Sequence, residues 1–311
     1  MQGRKIFIVA LIALAVLAVA VVPLMNTINR GSELYTARED RIVVINLSGV
    51  IQDSAGGFIY GAGISPRLVY SQLKRAADDP SIKGVVLRVD SSGGSIAASQ
   101  EIAAMVRKFE KPIVVSMGDM AASGGYYISA PAQAIVAQSG TMTGSIGVIS
   151  TVMNLDGLYE MLGVDVEVFK SGEHKDMLNR TMTEEERLIM QNISDEAYAQ
   201  FIAEVSEGRG IPIEVVRELA TGQIYLGSQA LELGLVDRLG GLEEAIGYLA
   251  ELNDFENPVR YEFPQPSMFT QLFDYGYRAL ATIEKAVLGP EIIMFELLRE
   301  GITPDIRYQV R

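Results

Sequence analysis

Residues 85–130 read VVLRVD SSGGSIAASQ EIAAMVRKFE KPIVVSMGDM AASGGYYISA, and this stretch decides the fold. Val85 to Val89 is a β-branched run that predicts a strand, and it leads into the turn Asp90-Ser91-Ser92-Gly93-Gly94-Ser95. A helix is expected from Ile96 to Phe109, a second strand from Pro112 to Ser116, and a short helix from Ala121 to Ala130. Strand, helix and strand at this spacing form a βαβ unit, which requires parallel strands.

The alternation extends in both directions. Upstream, Arg41 to Leu47 predicts a strand, and Pro66 to Ala77 a helix stopped by Asp78-Asp79-Pro80. Downstream, Ala134 to Ala137 predicts a strand, Ile146 to Val152 an extended segment, Leu158 to Leu162 a helix and Val164 to Phe169 another extended run. From Thr183 the texture changes to long helices. Thr183 and Glu186 form a capping box, and apolar residues at 188, 189, 193, 197, 201, 202 and 205 keep one helical face. Pro212 to Ala220 and Leu242 to Leu252 predict two more helices. The fold class is therefore α/β with a mostly parallel sheet, its domain spanning residues 41–252. Residues 253–311, rich in proline and aromatics, read as a C-terminal arm.

Composition removes much chemistry. The 311 residues hold no cysteine and one histidine, His174, so thiol catalysis, thiolate zinc sites and multi-histidine metal centres are excluded. The net charge of −13 argues against a nucleic-acid partner. Ile6 to Val22 are 17 consecutive apolar residues, extended to 20 by Pro23-Leu24-Met25, enough to cross a bilayer core of ~30 Å. Arg4 and Lys5 precede them, so residues 1–5 are expected in the cytoplasm, 6–25 in the membrane and the rest outside it. The polar residues 26–40 read as a linker. A cleaved signal peptide competes with this anchor, because Ala18-Val19-Ala20 resembles a cleavage site, but the apolar Val21 to Leu24 makes a poor new N-terminus.

Three glycine-serine turns each follow an expected strand, where sites of parallel sheets collect. They are Ser91-Ser92-Gly93-Gly94, Ala122-Ser123-Gly124-Gly125 and Thr143-Gly144-Ser145-Ile146-Gly147. The first lacks both dinucleotide and P-loop spacing, so no nucleotide cofactor is expected. It suits either an oxyanion hole built on the Gly94 amide or a plain strand-to-helix turn. Ser123 opens a short helix whose first amides favour an alkoxide, although an N-cap serine has the same look. A serine nucleophile needs a base, and His174 and Lys175 lie together in Lys170-Ser171-Gly172-Glu173-His174-Lys175-Asp176. A desolvated lysine or a carboxylate-paired histidine could each serve. Spacing alone does not choose.

Taken in order, Gly118 to Tyr127, Thr143 to Val148 and Lys170 to Asp176 resemble the short bacterial signal peptide peptidase A family, over about Arg41 to Leu252. These are membrane-anchored serine–lysine proteases with a caseinolytic-protease/crotonase-like βαβ superhelix. The resemblance implies that Ser123 is the nucleophile, Lys175 the general base and Ser145 the residue orienting it, with Gly94 and Gly124 supplying oxyanion amides. It also implies apolar peptide substrates such as signal-peptide remnants, a homo-oligomer with subunit-shared sites, and no cofactor. One departure is visible: the family often has Asn-Ser-Pro-Gly-Gly where this chain has Asp90-Ser91-Ser92-Gly93-Gly94, and losing the proline loosens the turn. A non-catalytic, membrane-anchored peptide-binding scaffold is the rival expectation, and would call for a broken serine–lysine pair. An acyl-CoA enzyme of the related fold would call for a cytosolic chain.

Overall fold

The computed structural model describes residues 40–53, 63–256 and 258–263. The expected anchor 6–25, its flanks 1–5 and 26–39, and the arm beyond Phe263 lie outside the described residues. Among the described residues no helix is long and apolar enough to cross a membrane.

Among the described residues eight strands form one sheet: β1 Arg41–Ser48, β2 Ile82–Ser91, β3 Ile113–Ala122, β4 Ala134–Ala137, β5 Met142–Gly144, β6 Ile224–Leu226, β7 Arg238–Leu239 and β8 Val259–Glu262. Its main path runs β6-β5-β3-β2-β1-β8, with β4 and β7 branching from β3. Every pairing is parallel except β5–β6. The helices are α1 Pro66–Asp78, α2 Ile96–Lys108, α3 Gly124–Ser129, α4 Asp156–Leu162, α5 Glu184–Arg209, α6 Ile213–Leu219, α7 Gly227–Glu232 and α8 Leu242–Leu252. The mixed α/β class with a mostly parallel sheet is thus the observed one.

Burial explains why the central strands read as unbroken apolar runs rather than as alternating ones. Ile42, Val43, Val44 and Ile45 of β1 and Val85, Val86 and Leu87 of β2 are all buried, so both faces of the sheet are covered. One face packs under α8, where Ala245, Ile246 and Leu249 meet Ile42, Val44, Val86, Val114 and Val136. The capping box at the start of α5 forms as expected: Thr183 Oγ1 accepts from Glu186 N at 3.2 Å, and Glu186 Oε2 accepts from Thr183 N at 2.9 Å. The proline of α6 sits one place earlier than expected, at the N-cap rather than inside the helix.

The sheet forks at β3. Val114 to Ser116 pair with β4, whereas Met120 to Ala122 pair with β5. The fork leaves the carboxyl end of β3 flanked by β5 on one side and by the end of β2 on the other. Residues 146–152 and 164–169, expected to be extended, join no strand. A β-branched run forms a strand only where a ladder partner is offered, and here Ile146 O accepts instead from Gly222 N at 3.0 Å, outside any strand. The sheet also runs beyond Leu252, because β8 pairs in parallel with Arg41 to Val44 of β1.

Candidate active site

Ser123 stands at the junction of β3 and α3. Its backbone has φ 52° and ψ −121°, a region that residues with a Cβ rarely occupy. The conformation is held from both sides: Ser123 N donates to Gly144 O at 2.8 Å, and Ser123 O accepts from Tyr127 N at 2.9 Å. Ser123 itself is half-buried, and its hydroxyl has no hydrogen-bond partner among the described residues. A sharp, strained strand-to-helix turn that lifts a serine oxygen out of the backbone is the geometry of a nucleophile elbow, reached here without the usual glycine two residues before the serine.

Ser145 is its neighbour. Ala122 and Gly144 are in register across β3 and β5, so Ser123 and Ser145 leave adjacent strands in step. Ser145 also has a positive φ, 49°, and its amide is held by Gln223 O at 2.8 Å. Among the described residues only Ser123, Ser145 and Asp254 are non-glycine residues with positive φ. Two of the three strained positions are therefore the two serines singled out from sequence.

The first glycine turn closes over the same point. Ile51 N donates to Gly93 O at 2.9 Å and Ser95 N to Ile51 O at 2.8 Å, while the buried Ser91 hydroxyl donates to Gly49 O at 2.6 Å and accepts from Gly93 N at 3.1 Å. These bonds supply the stiffness that a proline would otherwise give. A Cβ on Gly94 would stand 2.0 Å from Ile51 O, so only glycine lets the turn pass so close. A Cβ on Gly124 would lie 3.1 Å from Gly94 N, which places the two glycines side by side. Neither the Gly94 nor the Gly124 amide has an acceptor among the described residues. Two free N–H groups next to a serine oxygen are what a developing oxyanion needs.

A cleft of about 90 Å³ opens beside Ser123, lined by Gly94, Ser99, Gly124, Tyr127, Ala197 and Phe201 among others. The rings of Tyr127 and Phe201 meet at a tilt of 55° with centroids 5.0 Å apart. Burial, and then the nearby Glu204 charge, raise the Tyr127 phenol, so this wall stays neutral. Sequence reasoning did not assign Tyr127, Ala197 or Phe201 to the site. Tyr127 lay inside the quoted Gly118–Tyr127 motif, and 197 and 201 lay on the marked apolar face of the long helix.

Lys175 does not line the cleft beside Ser123. It sits exposed in a series of turns, its amide bonded to Gly172 O at 3.4 Å, and its Nζ has no hydrogen-bond or ion-pair partner among the described residues. The turns lean on the start of α5. Arg180 reaches Glu186 with both terminal nitrogens, at 2.6 and 2.8 Å, and Asp176 at 3.1 Å. Lys170 Nζ reaches Asp176 at 2.7 Å, and His174 Nδ1 lies 3.2 Å from Glu186 Oε1. Arg180, and next the cap amide of Thr183, hold the Glu186 carboxyl well below the usual carboxylate range. Lys170 and Arg180 likewise lower Asp176. From Glu186 to Ala197, which lines the cleft, α5 rises about 16 Å. His174 thus has the carboxylate neighbour that a histidine base would want, but no link to Ser123. Among the described residues no cluster of three or more His, Asp or Glu is placed to hold a metal ion.

Comparison with known proteins adds a family. Residues 105–256 match peptidase family S49. An Enterococcus faecium protein provisionally named signal peptide peptidase SppA is 41% identical over 219 residues, 68% of this chain and 64% of that protein. A provisionally named protease of Methanocaldococcus jannaschii is 35% identical over 280 residues, 81% of this chain and 90% of that protein. Protease 4 of Salmonella typhi is 34% identical over 238 residues, 75% of this chain but 38% of its own length.

Proposed function

The chain belongs to peptidase family S49, and on that premise we propose that it is a serine endopeptidase whose nucleophile is Ser123 and whose general base is Lys175. The observation that carries this reading is the strained Ser123 backbone with the unoccupied Gly94 and Gly124 amides beside it. Neutral Lys175 takes the Ser123 hydroxyl proton as the oxygen attacks the peptide carbonyl, and the two amides hold the oxyanion. The lysine ammonium then returns that proton to the leaving amine, and the acyl group stays on Ser123. Neutral Lys175 then takes a proton from water as its oxygen attacks the acyl carbonyl, and gives that proton to Ser123 Oγ as the acyl–serine bond breaks, releasing the acid and regenerating the serine. Ser145, in step with Ser123, orients the lysine.

The base reaches this serine from a second copy of the chain. Supporting this are the ~16 Å of α5 between the anchor of the Lys175 turns and the cleft, and the exposed apolar residues of segment 149–169. Ile149, Met161 and Phe169 are 88%, 82% and 93% exposed, a surface that a single soluble chain rarely leaves bare. The substrates are apolar or unfolded peptides, signal-peptide remnants among them, because the cleft beside Ser123 is walled by Tyr127, Phe201 and small residues. The chain is held to the cell membrane through residues 6–25, with the peptidase domain on the outer side.

The test is labelling of the full chain by a fluorophosphonate, beside hydrolysis of a fluorogenic apolar peptide. Wild type should be labelled and should cut, and Ser123→Ala should do neither. A non-catalytic scaffold would bind the peptide with no labelling of Ser123, and that outcome would remove the enzymatic reading.

A further inference from the structure

We propose that Arg180 and Glu186 are positioning residues for the general base: they fix the turns carrying Lys175 to the start of α5, and they consume the nearby negative charge that would otherwise capture its ammonium. The proposal rests on Lys175 being the base.

The first half follows from connectivity. Residues 170–182 belong to no helix or strand, and their internal backbone bonds run from Lys175, Met177 and Asn179, at 3.4, 3.2 and 2.9 Å. Side chains supply the rest. Both neighbours of Lys175 reach one carboxylate–guanidinium pair, His174 by its 3.2 Å approach to Glu186 and Asp176 through Arg180 at 3.1 Å. Glu186 is 1% exposed and cannot give up its partners cheaply. It is also the third residue of α5 and closes the capping box with Thr183, so the far end of the clamp is helix, not loop. The Lys175 backbone is therefore pinned on each side to a rigid element.

The second half follows from the charge inventory. The groups around Lys175 are Lys170, Glu173, His174, Asp176 and Arg180 on its own turns, Glu186 on α5, and Asp156 of α4, which accepts from Thr181. Among the described residues Asp176 and Glu186 are matched by Lys170 and Arg180, and neither they nor Glu173 pairs with Lys175. A base must shed its proton to act, and a carboxylate partner would oppose that. Arg180 prevents it by holding both acids at once. Its planar fork does what a lysine's single point of charge cannot.

The two residues separate by substitution. Glu186→Gln keeps the capping box, since glutamine serves at that position, but removes the charge. Arg180→Gln frees two carboxylates, and Arg180→Lys restores the charge without the fork. In the full chain, with sites counted by fluorophosphonate burst, Arg180→Gln should lower kcat at neutral pH about tenfold or more with KM within about twofold. It should also move the pH–rate profile upward by about one pH unit. Arg180→Lys should recover part of kcat and most of the pH profile. Glu186→Gln should lower kcat without that upward move, because it removes a negative charge. Wild-type kcat and pH profile per active site in both Arg180→Gln and Glu186→Gln, with Lys175→Ala inactive, would overturn the proposal and leave the serine–lysine reading standing. A loss in Arg180→Gln found only as fewer folded sites, each working at the wild-type rate, would overturn it as well. Hydrolysis by Lys175→Ala would remove the reading itself, and the proposal with it.

Discussion

Between Ile113 and Ala130 nearly every side chain is buried, whereas from Ile149 to Lys175 not one is. The first stretch carries Ser123 and the second ends at Lys175, so the two halves of one proposed catalytic pair are made in different ways. Ser123 is held by backbone: β3 pairs on both sides, α3 begins at once, and the Gly94 turn is bonded to Ile51. Lys175 is held by charged side chains at the edge of α5, beside a surface that the single chain leaves open. Backbone sets the position of an oxygen and two amides to tenths of an ångström and does not titrate. A cluster of ionised side chains is softer, answers to pH, and can be finished by another subunit.

The largest effects test whether the two regions make one site. Ser123→Ala and Lys175→Ala should each lower kcat on the order of a thousandfold or more, since nucleophile and base act as a unit, while Ser145→Ala lowers it less. Lys175→Arg should be as inactive as Lys175→Ala, because a guanidinium stays charged. Mixing and reassembling the two dead single variants should then restore hydrolysis, since some sites would pair an intact serine with an intact lysine from the neighbour. No recovery from the mixture, with each variant assembled normally by light scattering, would place both groups in one chain.

Next come glycine substitutions that should separate the regions by stability. Gly94→Ala puts a methyl 2.0 Å from Ile51 O, with backbone on both sides and no flexible side chain to yield, so the chain should fold poorly or lose several kcal/mol. Gly157→Ala, inside α4 with nothing within 4 Å, should instead raise stability by about 0.5–1 kcal/mol. Thermal melts of the two variants give the contrast directly. Equal melting points would mean that the glycine turn is not the rigid frame described.

How much of this was legible in the sequence divides along the same line. Val85 to Val89, the Thr183–Glu186 box and the three glycine-serine turns are local patterns, and strand, cap and turn formed where those patterns lie. The strained φ of Ser123 and Ser145 was not legible, since Ser123 could have been an ordinary N-cap and Ser145 an ordinary turn residue. It results from pairing Ala122 with Gly144, a contact between residues 22 apart. Three-residue strands such as β5 and β6 are too short to show a period. Residues 146–152 and 164–169 have the composition of strands but pair with no strand among the described residues, so propensity pointed to a ladder that the fold does not supply. Pairing of Arg180 with Glu186 also escaped notice, because its signal is two ordinary charged residues six apart.

A smaller effect belongs to the open surface. Phe169→Asp should leave the thermal midpoint of the fold within a few degrees, because the 93% exposed ring contributes almost no burial in one chain. It should nevertheless weaken assembly and lower activity roughly in step with the loss of oligomer, as read by sedimentation. Unchanged assembly and unchanged activity would mean that this surface faces something other than a second copy.

The smallest expected change is the sharpest difference in kind between the two regions, and it concerns acid. Asp176 is held low by Lys170 and Arg180, and Glu186 by Arg180 and the Thr183 amide, so both carboxyls titrate below their values in the unfolded chain. For such groups the stabilisation is complete above the unfolded values, about 3.9 for Asp and 4.3 for Glu, and is lost as pH falls from there through the folded ones. The frame around Ser123 depends on acid less, because most of its bonds run between amides, carbonyls and the Ser91 hydroxyl, and the Asp90 carboxylate enters it through a single bond from Met120 N at 3.1 Å. Lowering the pH below about 4 should therefore raise hydrogen exchange of residues 170–183 while β1, β2 and β3 stay protected. His174→Ala should hardly move this transition, since Arg180 and the cap remain on Glu186, and should cost activity no more than a few fold. Simultaneous loss of protection in the turns and in the β3 frame would mean that the turns carrying the base are no softer than the frame that carries the nucleophile.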